Sequence, residues 1–355
     1  MSDSFEMTVR ASAGSYGVRI ADGAFEALLG ERAGAFAVVD DHFAGHPALD
    51  PERTVWVHAT EDVKTLGGVE RAIVELRERG ARRGDHLVAV GGGIVQDVAT
   101  LVAQLYMRGL AWSYVPTTLL AMADSCIGGK SSINAGPYKN LVGSFHPPDE
   151  VVADPRLLGT LPGEALAGGL AEAMKISYCR GPEAFDRYLE LHAGFPDTAA
   201  ALVHHALESK RWFIEIDEFD RKERRLLNFG HTFGHALEAA TGFGVSHGIG
   251  VAIGVLAAER FAAEHGHGPG DARLAEHAAA LARQAPDLGA RLRRLDDAAF
   301  ERAFMADKKH GADGLHLILP TGEGRVEEVV VARGDGTVAS ARAALGEAIA
   351  TVAGR

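Results

Sequence analysis

Cysteine is almost missing: Cys126 and Cys179 are the only two among 355 residues, and they lie in separate segments. A disulfide framework is therefore excluded, and a reducing compartment suits the chain. Basic excess is missing as well, since 36 Lys and Arg against 48 Asp and Glu leave a formal charge of -12. Nucleic-acid backbones are bound by clustered cations that this sequence does not show, so a nucleic-acid partner is excluded. Any anionic substrate must be held by local cations. No run approaches the roughly 18 uninterrupted apolar residues of a spanning helix. The first residues, Met-Ser-Asp-Ser-Phe-Glu, carry neither a basic region nor an apolar stretch. The expectation is a cytoplasmic protein without a membrane partner. Internal repeats and low-complexity tracts are absent too, and the alanine richness is helix-forming background.

What is present is ordinary globular composition, 47% hydrophobic and 24% charged. At this length one core seldom serves, so two domains are expected. The first half alternates strands and helices. Phe5 to Ala11 and Tyr16 to Ala21 read as short strands, Phe36 to Asp40 and Thr54 to His58 as buried ones, and Leu66 to Gly80 as an amphipathic helix. The strand His86 to Val90 runs into Gly91-Gly92-Gly93 and then a helix through Met107. A strand, a glycine turn and a helix start make a phosphate site, because glycine permits close backbone approach and the helix N-terminus offers unbonded N–H groups. A tight turn without ligand is the other reading, and the stretch is not the G-x-G-x-x-G fingerprint. Asp40 and Asp41, ending an earlier strand, could take ribose hydroxyls or merely cap the turn that follows.

A strand at Trp112 to Val115 leads into a long polar, glycine-punctuated segment from Pro116 to Pro148, holding Asp124, Lys130, Lys139 and Asn140, with Arg108 before it. Loops of this length are functional or disordered, and the embedded apolar residues argue for function. From about residue 150 the strand signal fades. Helical periodicity takes over at 163–179, 182–192, 196–216, 229–241, 248–265, 271–284 and 296–306, followed by a hairpin of Leu315 to Leu319 with Val326 to Val331 and a helical tail. The boundary is placed at Pro147-Pro148, giving an α/β domain over 1–148 and a helical domain over 149–355. Within the second, His231 and His235 share one helix face, and His247 follows a glycine-flanked loop. Three imidazoles could hold a divalent metal with an open position, or be hydrogen-bonded core residues. Glu172 and Lys175, three apart on one helix face, read on their own as a surface ion pair.

These stretches together resemble the 3-dehydroquinate synthases and related sugar-phosphate cyclases, over about Glu61 to Pro320. The resemblance is carried by Gly91-Gly-Gly with Asp97, Tyr106-Met-Arg-Gly109, Val115-Pro-Thr-Thr-Leu-Leu120, Asp124 with Gly128-Gly-Lys130, Lys139-Asn140, Glu172-x-x-Lys175, Asp217-Glu218, Asn228-x-Gly-His-Thr-x-Gly-His235, His247-Gly and Asp307-Lys-Lys309. It implies an NAD-binding α/β domain, a helical domain, zinc or cobalt, and a homodimer. It further implies that Glu172, His231 and His247 ligate the metal, with His235 facing the substrate phosphate instead. Lys130, Asn140, Asn228, His235, Lys308 or Lys309, and Arg108 from the partner subunit correspond to the phosphate set, with Lys139 beside them. Asp124 and Lys175 correspond to contacts with substrate hydroxyls, and Lys210 and Arg224 to the substrate carboxylate pair. Gly91, Gly92, Gly93, Asp97, Asp40, Glu61, Lys64, Thr117 and Thr118 correspond to the NAD site.

The activity implied is conversion of a seven-carbon sugar acid phosphate to 3-dehydroquinate and phosphate, a lyase step with NAD reduced only transiently. Departures from the family are Ser131-Ser132 after Gly-Gly-Lys, Gln96 and Thr60 where glycine is common, and Ile249 where Glu is usual. They remove none of the residues named above, and they leave room for a specialised relative such as an amino-dehydroquinate synthase. Cyclases of neutral sugar phosphates tend to lose the carboxylate pair, which this chain keeps. Metal-dependent polyol or alcohol dehydrogenases share the architecture but would release NADH and would not use the crowd of phosphate-binding cations. Arg225, in the charged run from Asp220, is expected to face water.

Overall fold

The computed structural model describes residues 4–353 apart from Ala13, Pro137, Pro269, Lys308 and Glu323. The chain divides into two compact units, residues 1–161 with 194–218, and residues 162–193 with 219 onward.

The first unit contains β1 (Phe5–Ala11), β2 (Gly14–Ile20), α1 (Ala24–Glu31), β3 (Phe36–Asp40), β4 (Thr54–Val57), α2 (Leu66–Glu78), β5 (His86–Gly91), α3 (Gly93–Leu105), β6 (Ala111–Pro116), β7 (Lys130–Ala135), β8 (Tyr138–Phe145) and β9 (Glu150–Ala153). Seven of these strands form one sheet in the order β1-β2-β9-β6-β5-β3-β4. All its pairings are parallel except β1 with β2. Parallel strands are covered on both faces, which is why His86–Gly91 reads as a continuous apolar run and is buried from Leu87 onward. Phe25 and Leu28 of α1 pack over Val39, Val88, Val90, Val115 and Val152, joining helix to sheet in one apolar cluster.

After α4 (Gly163–Arg180) and α5 (Pro182–Ala193) of the second unit, α6 (Ala199–Ile216) belongs again to the first. The second unit is completed by α7 (His231–Ala240), α8 (His247–Glu264), α9 (Ala272–Ala282), α10 (Leu288–Leu292), α11 (Asp297–Met305), the hairpin β10 (Leu315–Gly322) and β11 (Arg325–Val331), and α12 (Asp335–Ala353). Helix α8 is buried nearly all round, as an all-apolar helix must be. Its glycines let neighbours approach backbone to backbone. A Cβ on Gly248 would fall 2.3 Å from Gly168 Cα of α4, and one on Gly254 2.0 Å from Gly230 O just before α7. Among the described residues no helix is long and apolar enough to cross a membrane.

Three expectations change. The segment from Pro116 to Pro148 is not a structureless loop: Ala121–Ser125 makes a single π-helical turn, and β7 and β8 pair as an antiparallel hairpin. Most of β8 is exposed or half-buried, so it carries no apolar alternation to announce it. Polar bonds from β7 anchor the hairpin instead, Ser132 N to Asp97 Oδ1 at 2.8 Å and Asn134 N to Lys64 O at 2.8 Å. Second, the sheet continues past Pro147-Pro148, because β9 pairs with both β2 and β6. Third, the units exchange chain at 161/162, 193/194 and 218/219 instead of meeting once at 148. The periodicity of α6 is that of any amphipathic helix and carries no mark of which core it joins.

Candidate active site

In the first unit, β5 delivers Gly91 and Gly92 to the N-terminus of α3. Gly92 caps the helix in an extended conformation with no side chain bonded to the first-turn amides. Tyr114 Oη donates to Gly91 O at 3.0 Å, and Thr117 N to the same oxygen at 3.1 Å, which fixes the turn from beneath. A Cβ on Gly91 or Gly92 would collide with Val95 or Thr118, whereas one on Gly93 would meet open space. The open side and the uncapped amides suit an anionic group such as a pyrophosphate. Thr118 Oγ1 accepts from Ala121 N at 3.2 Å, so this side chain caps the π-turn.

Around this turn, residues assigned to cofactor and to substrate form one network. Lys64 Nζ lies 2.7 Å from Asp97 Oδ2 and donates to Asn140 Oδ1 at 2.7 Å. Asn134 Nδ2 donates to Glu61 Oε1 at 2.8 Å, and Lys139 stands 3.8 Å from the same oxygen. Burial pushes the Asp97 carboxyl up in pKa against the pull of Lys64. Asn140 takes a left-handed φ of 53°. Asp40 accepts from His42 N at 3.0 Å, the capping role that was the other reading of that residue. Lys130 opens β7 and is exposed, and Arg108 sits exposed with a φ of 72° in the turn after α3.

Asp124 and Lys210 meet within the same unit. Lys210 Nζ, on α6, is 2.7 Å from Asp124 Oδ1 and donates to Asp124 O at 2.6 Å. Lys210, which the resemblance assigns to the substrate carboxylate pair, is buried and paired with this acid.

In the second unit three helices converge. Glu172 of α4 is fully buried. Its Oε1 lies 3.2 Å from His247 Nε2 at the start of α8 and 3.6 Å from His231 Nε2 at the start of α7. The other ring nitrogens are engaged from behind, His231 Nδ1 3.2 Å from Phe229 O and His247 Nδ1 3.0 Å from Glu238 Oε1. Partners of that kind set the tautomer and aim of metal-ligating imidazoles. Ligand atoms of His231, His235 and His247 all lie within 4.8 Å of one another. Among the described residues, His235 makes no pair with Glu172 within 4.0 Å, which separates it from the other two.

Lys175 Nζ stands 2.6 Å from Glu172 Oε2, yet neither Glu172 oxygen accepts an aligned hydrogen bond. A buried carboxylate that faces two imidazole nitrogens, with a lysine balancing its charge, is a donor set that fits zinc or cobalt. Burial would raise the Glu172 carboxyl, but Lys175 and His247 beside it hold it well below the usual range. Burial and the Lys175 charge hold His231 neutral. Burial also lowers His247, but Glu172 and Glu238 outweigh it and raise its pKa. His235 is lowered by the protein massed around it and by the His247 charge, although its ring is open to solvent on one side.

The other assigned residues of this unit lie on its turns. Asn228 Nδ2 donates to Arg225 O at 2.9 Å. Lys309 Nζ pairs with Asp307 Oδ2 at 3.0 Å, and Lys308 lies outside the described residues. Arg224 is only 3% exposed, so it is not a solvated member of its charged run. Nor does Arg225 simply face water, because it pairs with Glu328 at 2.5 Å. Two contributors escaped the sequence reading. Glu238 could have been found, seven residues after His231 and thus on the same helix face. Gln96 was noted only as a departure.

An α/β unit with a glycine turn, and a helical unit with a histidine–carboxylate cluster, define the dehydroquinate synthase-like fold. Solved structures agree. A 2-deoxy-scyllo-inosose synthase complexed with carbaglucose-6-phosphate, NAD+ and Co2+ superposes with a TM-score of 0.78 at 22% identity, covering 97% of this chain and 99% of that one. A 2-epi-5-epi-valiolone synthase from Streptomyces hygroscopicus subsp. jinggangensis 5008, with NAD+ and Zn2+ bound, gives 0.73 at 24% identity, covering 94% and 97%. The sequence narrows the class. Residues 54–168 match the family described as 3-dehydroquinate synthase N-terminal, and residues 169–310 match 3-dehydroquinate synthase C-terminal. A 3-dehydroquinate synthase from Rhodopseudomonas palustris (strain TIE-1) is 41% identical over 72% of this chain and 67% of its own length. The chain belongs to the 3-dehydroquinate synthase family.

Proposed function

We propose that the protein is a 3-dehydroquinate synthase, converting the seven-carbon sugar acid phosphate (DAHP) into 3-dehydroquinate and inorganic phosphate. The observation that carries the reading is Glu172, fully buried and facing both His231 and His247, in a chain about 40% identical to proteins of that name. Zinc or cobalt on these three residues supplies Lewis acidity to a ring hydroxyl, and NAD supplies a transient hydride acceptor. Everything else is the work of side chains. Glu238 and the Phe229 carbonyl hold the two imidazoles in their ligating tautomer. Lys175, buried beside Glu172, balances its charge and reaches a substrate hydroxyl. Neutral His235, Asn228 and Lys309 offer donors to the phosphate, and buried Arg224 offers a planar fork to the carboxylate. Asp124 takes a substrate hydroxyl. The homodimer and the cytoplasmic setting expected above belong to the same proposal.

The 2-deoxy-scyllo-inosose synthase and the 2-epi-5-epi-valiolone synthase are less similar, at 22% and 24% identity, and carry no equivalent claim. Dehydrogenases share the fold at still lower identity, as in a probable glycerol dehydrogenase from Sinorhizobium meliloti 1021 at 17% and a TM-score of 0.60. That alternative is not favoured. Purified protein with NAD, zinc and the acid phosphate should release phosphate and the dehydroquinate mass with no net NADH. Stoichiometric NADH would move the protein to the dehydrogenases, and preference for a neutral seven-carbon phosphate or an amino analogue would move it to a specialised cyclase.

A further inference from the structure

Gln96 is the fourth residue of α3, directly before Asp97, and is 5% exposed. Its amide is used at both ends. Nε2 donates to Ser125 O at 2.7 Å, and Ser125 Oγ donates back to Gln96 Oε1 at 2.6 Å. Ser125 ends the π-turn Ala121–Ser125, whose last carbonyls have no partner within the turn. Lys210 takes the carbonyl of Asp124, and Gln96 takes the next one. Asp124, whose carboxylate is also bound by Lys210, is therefore flanked by a reciprocal clasp to the helix that begins at the glycine turn. A glycine at position 96 would leave Ser125 O and Oγ without this partner.

We propose that Gln96 is a positioning residue that holds Asp124, through Ser125, in register with the dinucleotide turn. The proposal rests on the reading of Asp124 as a substrate contact. It gives the departure at position 96 a purpose: a substrate hydroxyl is presented to a carboxylate whose backbone is tied to the cofactor side of the same unit. A filler residue would matter only through volume, which methionine matches without the two hydrogen bonds.

The test is a double-mutant cycle on the full-length zinc- and NAD-loaded protein, read as kcat/KM for phosphate release from the acid phosphate. Gln96→Met should lower kcat/KM at least about tenfold while NAD affinity stays within about twofold, because the glycine turn and the Asp97–Lys64 pair are untouched. Combined with Asp124→Asn, the same change should cost less than about twofold, since the residue it positions is already altered. Ser125→Ala, which keeps the carbonyl bond and loses one hydroxyl bond, should show a smaller loss that does not add to that of Gln96→Met, and it serves if the methionine variant folds poorly. Equal losses from Gln96→Met with Asp124 present or replaced would overturn the proposal, as would no loss at all. An Asp124→Asn enzyme as active as wild type would remove the reading of Asp124, and this proposal with it, while continued phosphate release would leave the cyclase reading standing.

Discussion

Gly248→Ala is the sharpest perturbation of the second unit, because the residue follows His247 and abuts Gly168, one turn before Glu172 on α4. The added Cβ would sit 2.3 Å from Gly168 Cα, 2.4 Å from its carbonyl oxygen and 2.6 Å from its carbonyl carbon. Carbon atoms in contact need about 3.5–4.0 Å, so the overlap is about 1.2–1.7 Å, and it falls on backbone that no rotamer change can clear. Helices α4 and α8 must separate, and with them Glu172 and His247. A metal site tolerates errors of only about 0.2 Å in its ligand distances. Disturbing even the outer partners of metal ligands costs about 10–100-fold in affinity, so displacing one ligand against another should weaken zinc at least about 100-fold. The overpacking itself should lower stability by about 1–3 kcal/mol. Zinc affinity is read by competition with a chromophoric chelator, with circular dichroism to confirm helix content. The control is Gly346→Ala on α12, an exposed helical position with nothing within 4 Å of the new methyl. It should leave zinc unchanged and raise stability by roughly 0.5–1 kcal/mol. A Gly248→Ala protein that binds zinc within about threefold of wild type would refute the claim that this crossing sets the ligand geometry.

His231→Ala and His247→Ala should each lose bound zinc by elemental analysis, while His235→Ala keeps it; equal loss in all three would bring His235 into the ligand set. Arg224→Ala removes a charged partner from a buried site, a loss of about 2–5 kcal/mol, so kcat/KM for the acid phosphate should fall at least about thirtyfold. The exposed Arg294 provides the control for it, since Arg225 is tied to Glu328; equal activity of the two alanine variants would sink the carboxylate assignment. Burial raises the Glu259 carboxyl from 4.5 to about 7. A carboxyl raised on folding stays protonated in the folded chain while the unfolded one ionises, so stability is full below pH 4.5 and is lost as pH rises through 7. Between pH 4.5 and 8 the loss from this group amounts to about 3 kcal/mol. Glu259→Gln should abolish that slope in urea midpoints taken at pH 5 and pH 8, and an unchanged slope would refute the assignment.

Much of the first unit could be read directly, because a buried parallel strand such as His86–Gly91 must be largely apolar, and the glycine triplet marks where this one ends. The histidine pair on α7 was equally legible, since helical spacing alone puts His231 and His235 on one face. Which of the three imidazoles meets a carboxylate could not be read from spacing, only from the family resemblance, for it depends on where α4 lies against α8. The β7–β8 hairpin was hidden because Asp97 and Lys64, far off in sequence, supply its bonds. Gln96 was visible only as an oddity until Ser125 appeared opposite it. Arg225 looked like a solvated cation, and only its partner Glu328, 103 positions away, shows otherwise.

Helix α6 shields the outer strand of the sheet. Phe5 stacks on His204 with centroids 4.5 Å apart, Arg211 donates to Thr8 O at 3.1 Å, and Ser12 N donates to Glu218 Oε2 at 2.7 Å. These contacts join the first dozen residues to a segment made some two hundred residues later. During synthesis the strand Phe5–Ala11 therefore emerges with its free edge bare and stays so until Glu218 has left the ribosome, a window in which unpaired edges invite other chains. A fragment cut at residue 148 would carry that bare edge permanently. Dissecting this protein into halves calls for a permuted chain that keeps residues 194–218 with the sheet, not for a single cleavage.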